Sequence, residues 1–190
     1  MTVTESLREE HCGMTRLLQA LERQINILDQ GKAPDYDIII GVADYFFSYS
    51  ERCHHLKEDL IVSKLRVSHR NVIYMGRFIV EHQDIRERAM RFGKAASYIR
   101  LGAYISSSEI IAAARDFITS KYRHMREEEE SLFPTAESFL TAAEWAHIED
   151  CLDLDVHARP QSQTVQMYRR LSDHLLARDY KDGGGSSPLG

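Results

Sequence analysis

The chain has 190 residues, 43% of them hydrophobic and 28% charged, and a formal net charge of −5 at pH 7. These values fit one folded domain with a short appendage, exclude disorder throughout, and argue against a general binder of nucleic-acid phosphates. No apolar run approaches the ~20 residues of a membrane span. The N-terminus carries Glu5, Glu9 and Glu10 in place of a secretory apolar block, and three cysteines form no disulfide framework, so a reducing cytoplasm is expected.

In chain order, Leu7, Met14, Leu17, Leu18, Leu21, Ile25 and Leu28 recur at spacings of three and four and predict a helix from Thr4 to Asp29, broken by Gly31, Pro34 and Asp35. A second helix is expected from Tyr36 to Val67, through Ile39, Val42, Phe46, Leu56, Ile61 and Leu65. A turn over Ser68–Asn71 leads to a third, Asn71–Phe92, closing at Gly93. A fourth runs from Ser106 to Leu132 and stops before Pro134, because the residue ahead of a proline resists the α conformation. Thr141, with Glu144 three residues on, predicts a capping box opening a helix through Trp145, Ile148 and Leu152. A further helical stretch is expected from Gln161 to Ala177, then a flexible Gly/Ser tail whose approach, Asp179–Asp182, also reads like the start of an epitope tag. The body is nearly without helix breakers, so the expected fold is all-α. It is an antiparallel up-down-up-down four-helix bundle over residues 1–134, with additional C-terminal helices packed on it over 135–180 and the tail over 181–190.

The placement of the nine histidines carries the chemical signal. The second and fourth helices each hold a His-x-x-x-Glu pair, His54/Glu58 and His124/Glu128, and positions four apart share a helix face. The first and third helices offer His11 and His82. At ~1.5 Å rise per residue, all six lie roughly 10–17 Å from one end of the bundle, within one layer. A single such pair is ordinarily a surface feature; two pairs plus two histidines at one depth point to metal. Four nitrogens and two carboxylates exceed the needs of one tetrahedral ion and suit a dinuclear site with Glu58 and Glu128 as bridges. Imidazole and carboxylate without thiolate favour iron or manganese over copper, with zinc also accommodated.

His11, the string HHLKED at His54–Asp59, Glu81-His82, and HMREEEESLFP at His124–Pro134 resemble the hemerythrin-like, HHE cation-binding family. The resemblance implies a four-helix bundle with a non-haem di-iron (Fe–O–Fe) centre, bound by His11, His54, Glu58, His82, His124 and Glu128. It also implies dioxygen, peroxide or nitric oxide as small ligands. Oxygen-carrying hemerythrins have two histidines four apart on the third helix, whereas here Phe78 and Arg86 stand at that spacing from His82. Carriers also use His-x-x-x-x-Asp on the fourth helix, where this chain has His124-x-x-x-Glu128. One histidine fewer leaves a coordination position for water or substrate, as a reacting centre requires. The expected function is therefore binding or reduction of dioxygen or peroxide at an open site of four histidines and two glutamates, with catalase-like or oxidase activity as the forms turnover would take. The alternatives are a non-enzymatic oxygen, nitric-oxide or iron sensor, an iron donor for repair, or reversible oxygen storage. No catalytic residue is assigned beyond the ligands, and iron is preferred to manganese or zinc. No nucleic-acid or membrane partner is expected, and a homo-oligomer is compatible with the reading. Gly183–Ser187 followed by Pro188-Leu189-Gly190 is similar to the docking tails that tie some members to encapsulin shells.

Other residues are read against plainer roles. His55 should point away from the side of His54, as an outer neighbour or on the surface. His69, His147, His157 and His174 are expected to be solvated or capping. Cys12 and Cys53 flank ligands but are expected in the core. Tyr45, Tyr49 and Tyr122 are expected to pack, with proton donation as their alternative role. Phe47, Phe78 and Phe117 should lie near the ligand faces. Arg86 either steers anions or pairs with a glutamate. Glu127 is expected near the metals, and Glu129 and Glu130 in solvent.

Overall fold

In the computed structural model, residues 2–47, 53–68, 76–158 and 170–179 are described, with 68 and 153–158 as backbone alone. Thr2 opens α1 (Val3–Asp29): its hydroxyl accepts from Glu5 N at 3.2 Å and the Glu5 carboxylate accepts from Thr2 N at 2.8 Å, which satisfies two otherwise orphaned amides. α1 ends where Gly31 adopts φ +72°, Gly31 N donates to Leu28 O and Lys32 N to Ile27 O. That Schellman geometry needs a left-handed residue, which glycine supplies without a Cβ clash. Asp35 caps α2 (Tyr36–Tyr45) through Asp37 N.

The predicted second helix is not continuous. Its chain is α2, a π-helical turn at residues 46–47, and a second π-helical turn through Cys53 and His54 into α3 (His55–Ser68). The expected turn after Val67 falls largely outside the described residues. The predicted third helix also differs: α4 spans Arg77–Arg100, and Gly93 lies inside it. The terminator is Gly102 at φ +63°, with Gly102 N donating to Ile99 O and Ala103 N to Tyr98 O, the same motif that closes α1.

Ser106 and Glu109 form a second capping box at the head of α5 (Ser107–Glu127). Pro134 does not stop this run. A π-helical turn, Glu128–Leu132, passes the chain into α6 (Phe133–Phe139), and Pro134 occupies the first turn of α6, where its missing N–H has no helical partner to lose. Thr141 and Glu144 cap α7 (Ala142–Ala158) as expected, with Glu144 N donating to Thr141 Oγ1 and Thr141 N donating to the Glu144 carboxylate. A helical segment over 170–179 follows; the rest of the predicted 161–177 stretch, and the tail, fall outside the described residues.

The architecture is all-helical, with no strand among the described residues. α1 packs on α2 and α5, α4 packs on α2 and α5, and α3 packs on α4, α6 and α7. The buried apolar residues form two separate clusters. One joins Met14–Leu28 of α1 with α2, Ile85–Ala96 of α4, Ile110–Ile118 of α5 and Leu175. The other joins Val3 and Leu7 with Ile61, Val62 and Leu65 of α3, Phe78, Leu132, Phe133, Ala136, Leu140 and Ile148. On α1, His11 lies between Leu7 of one cluster and Met14 of the other; on α4, His82 lies likewise between Phe78 and Ile85. The predicted ligand layer is thus a polar stratum between two dry cores. No helix among the described residues is long and apolar enough to cross a membrane.

Candidate metal centre

The structure brings all six predicted residues together. His11, His54, Glu58, His82, His124 and Glu128 are each 0–2% exposed. His54 Nε2 lies 2.8 Å and His11 Nε2 3.7 Å from Glu58 Oε1, while His82 Nε2 lies 3.3 Å from Glu58 Oε2. Glu128 mirrors this, with Oε1 at 2.9 Å from His124 Nε2 and 3.2 Å from His82 Nε2, and Oε2 at 3.5 Å from His11 Nε2. Each carboxylate therefore spans two histidine pairs, His11/His54 on one side and His82/His124 on the other.

The outer ring nitrogens meet carboxylates. His54 Nδ1 pairs with Glu10, His82 Nδ1 with Asp59 and His11 Nδ1 with Glu129, each at 2.8 Å. His124 Nδ1 lies 3.6 Å from Glu81 Oε2. The pattern closes on itself: α1 reaches the α3 arm, α3 reaches α4, α4 approaches α5, and the turn after α5 reaches back to α1. Each carboxylate sits beside a predicted ligand in sequence: Glu10 by His11, Asp59 by Glu58, Glu81 by His82, Glu129 by Glu128. Lys57 Nζ donates in turn to Glu10. Such partners fix the imidazole tautomer and orientation in metal sites.

The donor set fits cations. A carboxylate only accepts, so Nδ1 of His11 and of His54 carries a proton, and in the neutral form that a metal requires each ring presents an Nε2 lone pair. Those two Nε2 atoms lie 3.0 Å apart. Two lone pairs at that distance repel unless a positive charge lies between them. Both Glu58 oxygens, Glu128 Oε2 and His124 Nε2 have no hydrogen-bond partner among the described residues. Buried, unpaired carboxylate oxygens cost several kcal/mol in general, and a bound cation removes that cost. The electrostatics agree. Burial raises the Glu58 carboxyl, but the charge of His54 and the close ring nitrogens of His11 and His82 outweigh it and hold it well below the ordinary range. Burial opposes charge on His82, yet Asp59, Glu128 and Glu58 raise its pKa to about 11. The layer draws positive charge to itself. Two overlapping groups have donor atoms mutually within 4.8 Å: His11, His54, Glu58 and Glu128, and His55, Glu58, His82 and His124.

Several expectations need correction. His55 is not turned away to the surface: it is buried at 1% exposure, with its ring parallel to His82 at 4.3 Å between centroids. The π-helical turn through His54 holds more residues per turn than an α-helix, so it narrows the angular step on which the outward reading relied. Glu129 is half exposed, yet its carboxylate holds His11. Cys12 is exposed and not a core residue, whereas Cys53 is buried. Phe47 is exposed, while Phe78 and Phe117 are buried. Phe133, just after the π-helical turn, stacks on His11 with centroids 5.5 Å apart. Glu127 faces Arg77 at 3.9 Å. Tyr45 is buried, and Tyr122 OH donates to Glu22 at 3.4 Å. Arg86, His147 and His174 are exposed; Tyr49, His69 and His157 fall outside the described residues.

Buried histidines and carboxylates from several helices of an all-helical protein define a metal-binding class. The family model of the hemerythrin HHE cation-binding domain matches residues 2–136, and the chain belongs to that family. Searches of curated proteins and of solved structures returned no match.

Proposed function

We propose that the protein holds two iron ions in this layer and acts on dioxygen or peroxide. His11 and His54 would serve one ion, His82 and His124 the other, and Glu58 and Glu128 would be shared between the two. The observation that supports this is the way each carboxylate addresses one histidine pair with one oxygen and the other pair with the second. Two adjacent irons supply two electrons in all, the number that takes dioxygen to the peroxide level or peroxide to water. Manganese and zinc are the less favoured occupants.

The chain's own residues set the conditions. Glu10, Asp59 and Glu129 hold three imidazoles with their Nε2 atoms inward, so the donors are oriented before metal arrives. The apolar clusters on both sides exclude bulk water and confine access. Four imidazole nitrogens and four carboxylate oxygens would give each ion four donors, which leaves room for a small ligand. The reading takes residues 1–134 as an up-down-up-down bundle that carries the site, with 135–180 packed on it.

The test is the optical spectrum of the protein as purified, before and after dithionite and then air, with peroxide consumption measured in parallel. An oxo-bridged near-ultraviolet band that bleaches and returns, with peroxide consumed, is the expected result. Iron-loaded protein that neither consumes peroxide nor reacts with oxygen when reduced contradicts the redox reading.

A further inference from the structure

His55 and Lys121 are buried in the ligand layer but lie outside the six residues assigned to the two ions; His55 stands within donor distance of one group without being one of its assigned ligands. His55 is the first residue of α3 and 1% exposed; Lys121, on α5 one turn before His124, is wholly buried. Lys121 Nζ lies 3.1 Å from His55 Nε2. The His55 ring is parallel to His82 and edge-on to His124, with a centroid separation of 5.8 Å from the latter. One of its nitrogens lies within 4.8 Å of donor atoms of Glu58, His82 and His124. That half of the layer has Phe78 and Arg86, not a histidine, four residues from His82. His55 brings an imidazole to the same half from another helix.

Lysine makes this imidazole unlike the other four. An ammonium donates and has nothing to accept with. Its contact occupies the Nε2 lone pair of His55 and leaves the ring proton on Nδ1. His11, His54 and His82 face acceptors at Nδ1 and keep Nε2 for a metal; His55 faces a donor at Nε2. A ring so held has no lone pair to give. Burying an ammonium in a core is costly unless it is well paired, and an apolar residue would fill this helix position without that cost.

We infer that His55 is a latent seventh ligand which Lys121 holds off the metal, so that a coordination position in the His82–His124 half stays available to a small exogenous anion. This rests on the two-metal reading. Breaking the Lys121–His55 hydrogen bond frees the ring to shift its proton and offer a nitrogen lone pair to the metal, which closes the position.

The experiment uses the iron-loaded full chain, with metal content measured first and sodium azide titrated against its visible charge-transfer band. The wild type is expected to bind azide. Lys121→Met should keep its iron and bind azide about tenfold or more weakly, in line with the effect of outer partners on metal sites. Lys121→Met with His55→Ala should regain wild-type affinity, and Lys121→Gln, which retains an N–H donor, should resemble the wild type. His55→Ala alone should keep its iron and its azide binding, which holds the test open if Lys121→Met does not fold. Unchanged azide affinity in Lys121→Met, no recovery in the double variant, or iron lost from His55→Ala overturns the inference. A wild type without iron overturns the two-metal reading instead.

Discussion

At the scale of residues, the centre is set by pairings between helices rather than by the ligands alone. Asp59 reaches from α3 to His82 on α4, and Glu10 from α1 to His54. Asp59→Asn should lower metal affinity by about 10–100-fold while the fold persists, because the ring loses its charged partner and not its packing. Competition with a chromophoric chelator measures this; an unchanged affinity would remove Asp59 from the centre. The six ligand-type residues were legible in the sequence because four-residue spacing on a helix is local. Their partners were not. From sequence Glu129 is expected in solvent and Glu10, Asp59 and Glu81 have no role assigned, since which carboxylate meets which histidine depends on the order of helices around the core. For His55 the surface alternative fails and the outer-neighbour alternative stands: a regular helix turns a neighbour away by about 100°, and the π-helical turn at His54 breaks that regularity.

At the scale of elements, the apolar periodicity located α1, α5 and α7, and the Thr141–Glu144 spacing located the capping box of α7, all of them local signals; the box at Ser106 and Glu109 is a finding of the structure. Periodicity did not locate the end of α4. Gly93 and Gly102 are both glycines after an apolar run, and only backbone geometry separates them: Gly102 has φ +63°, and Gly93 is a mid-helix residue with nothing within 4 Å of an added Cβ. Two substitutions test that difference. Gly102→Val should destabilise by at least about 1–2 kcal/mol, since a branched residue resists the left-handed region. Gly93→Ala should stabilise by about 0.5–1 kcal/mol through helix propensity. Urea midpoints report both; a stabilised Gly102→Val would contradict the Schellman ending. The 170–179 segment is tied to the body by Leu175 packed over Gly41, Arg178 to Asp35 and Asp179 to Arg23. Leu175→Ala should cost about 2–5 kcal/mol, as buried leucines generally do.

At the scale of the whole molecule, a layer of buried ionisable groups divides the apolar core in two, and stability should follow its charge. In metal-free protein the carboxyls of Glu10 and Glu58 sit below their ordinary 4.5, the former because His54 and Lys57 outweigh its burial. Their contribution is in place above about pH 4.5 and is lost as pH falls through the folded values. His54 and His82 are raised above 6.5, so their contribution is in place below that and fades as pH rises. The melting temperature of metal-free protein should therefore peak between about pH 4.5 and 6.5. Metal replaces those protons, so loading should move the maximum above about pH 6.5. At 100 times its Kd a bound ligand adds about 2.7 kcal/mol, or a rise of about 5–10 °C for a chain of this size.

The most direct measurement is the metal-to-protein ratio of the purified full chain beside that of Glu58→Ala. Because the two Glu58 oxygens face different histidine pairs, the centre predicts two ions per chain in the wild type and the loss of both from the variant. A wild type that folds with one ion or none, or a variant that keeps one ion in place, would contradict a shared centre and leave two unconnected clusters of histidine.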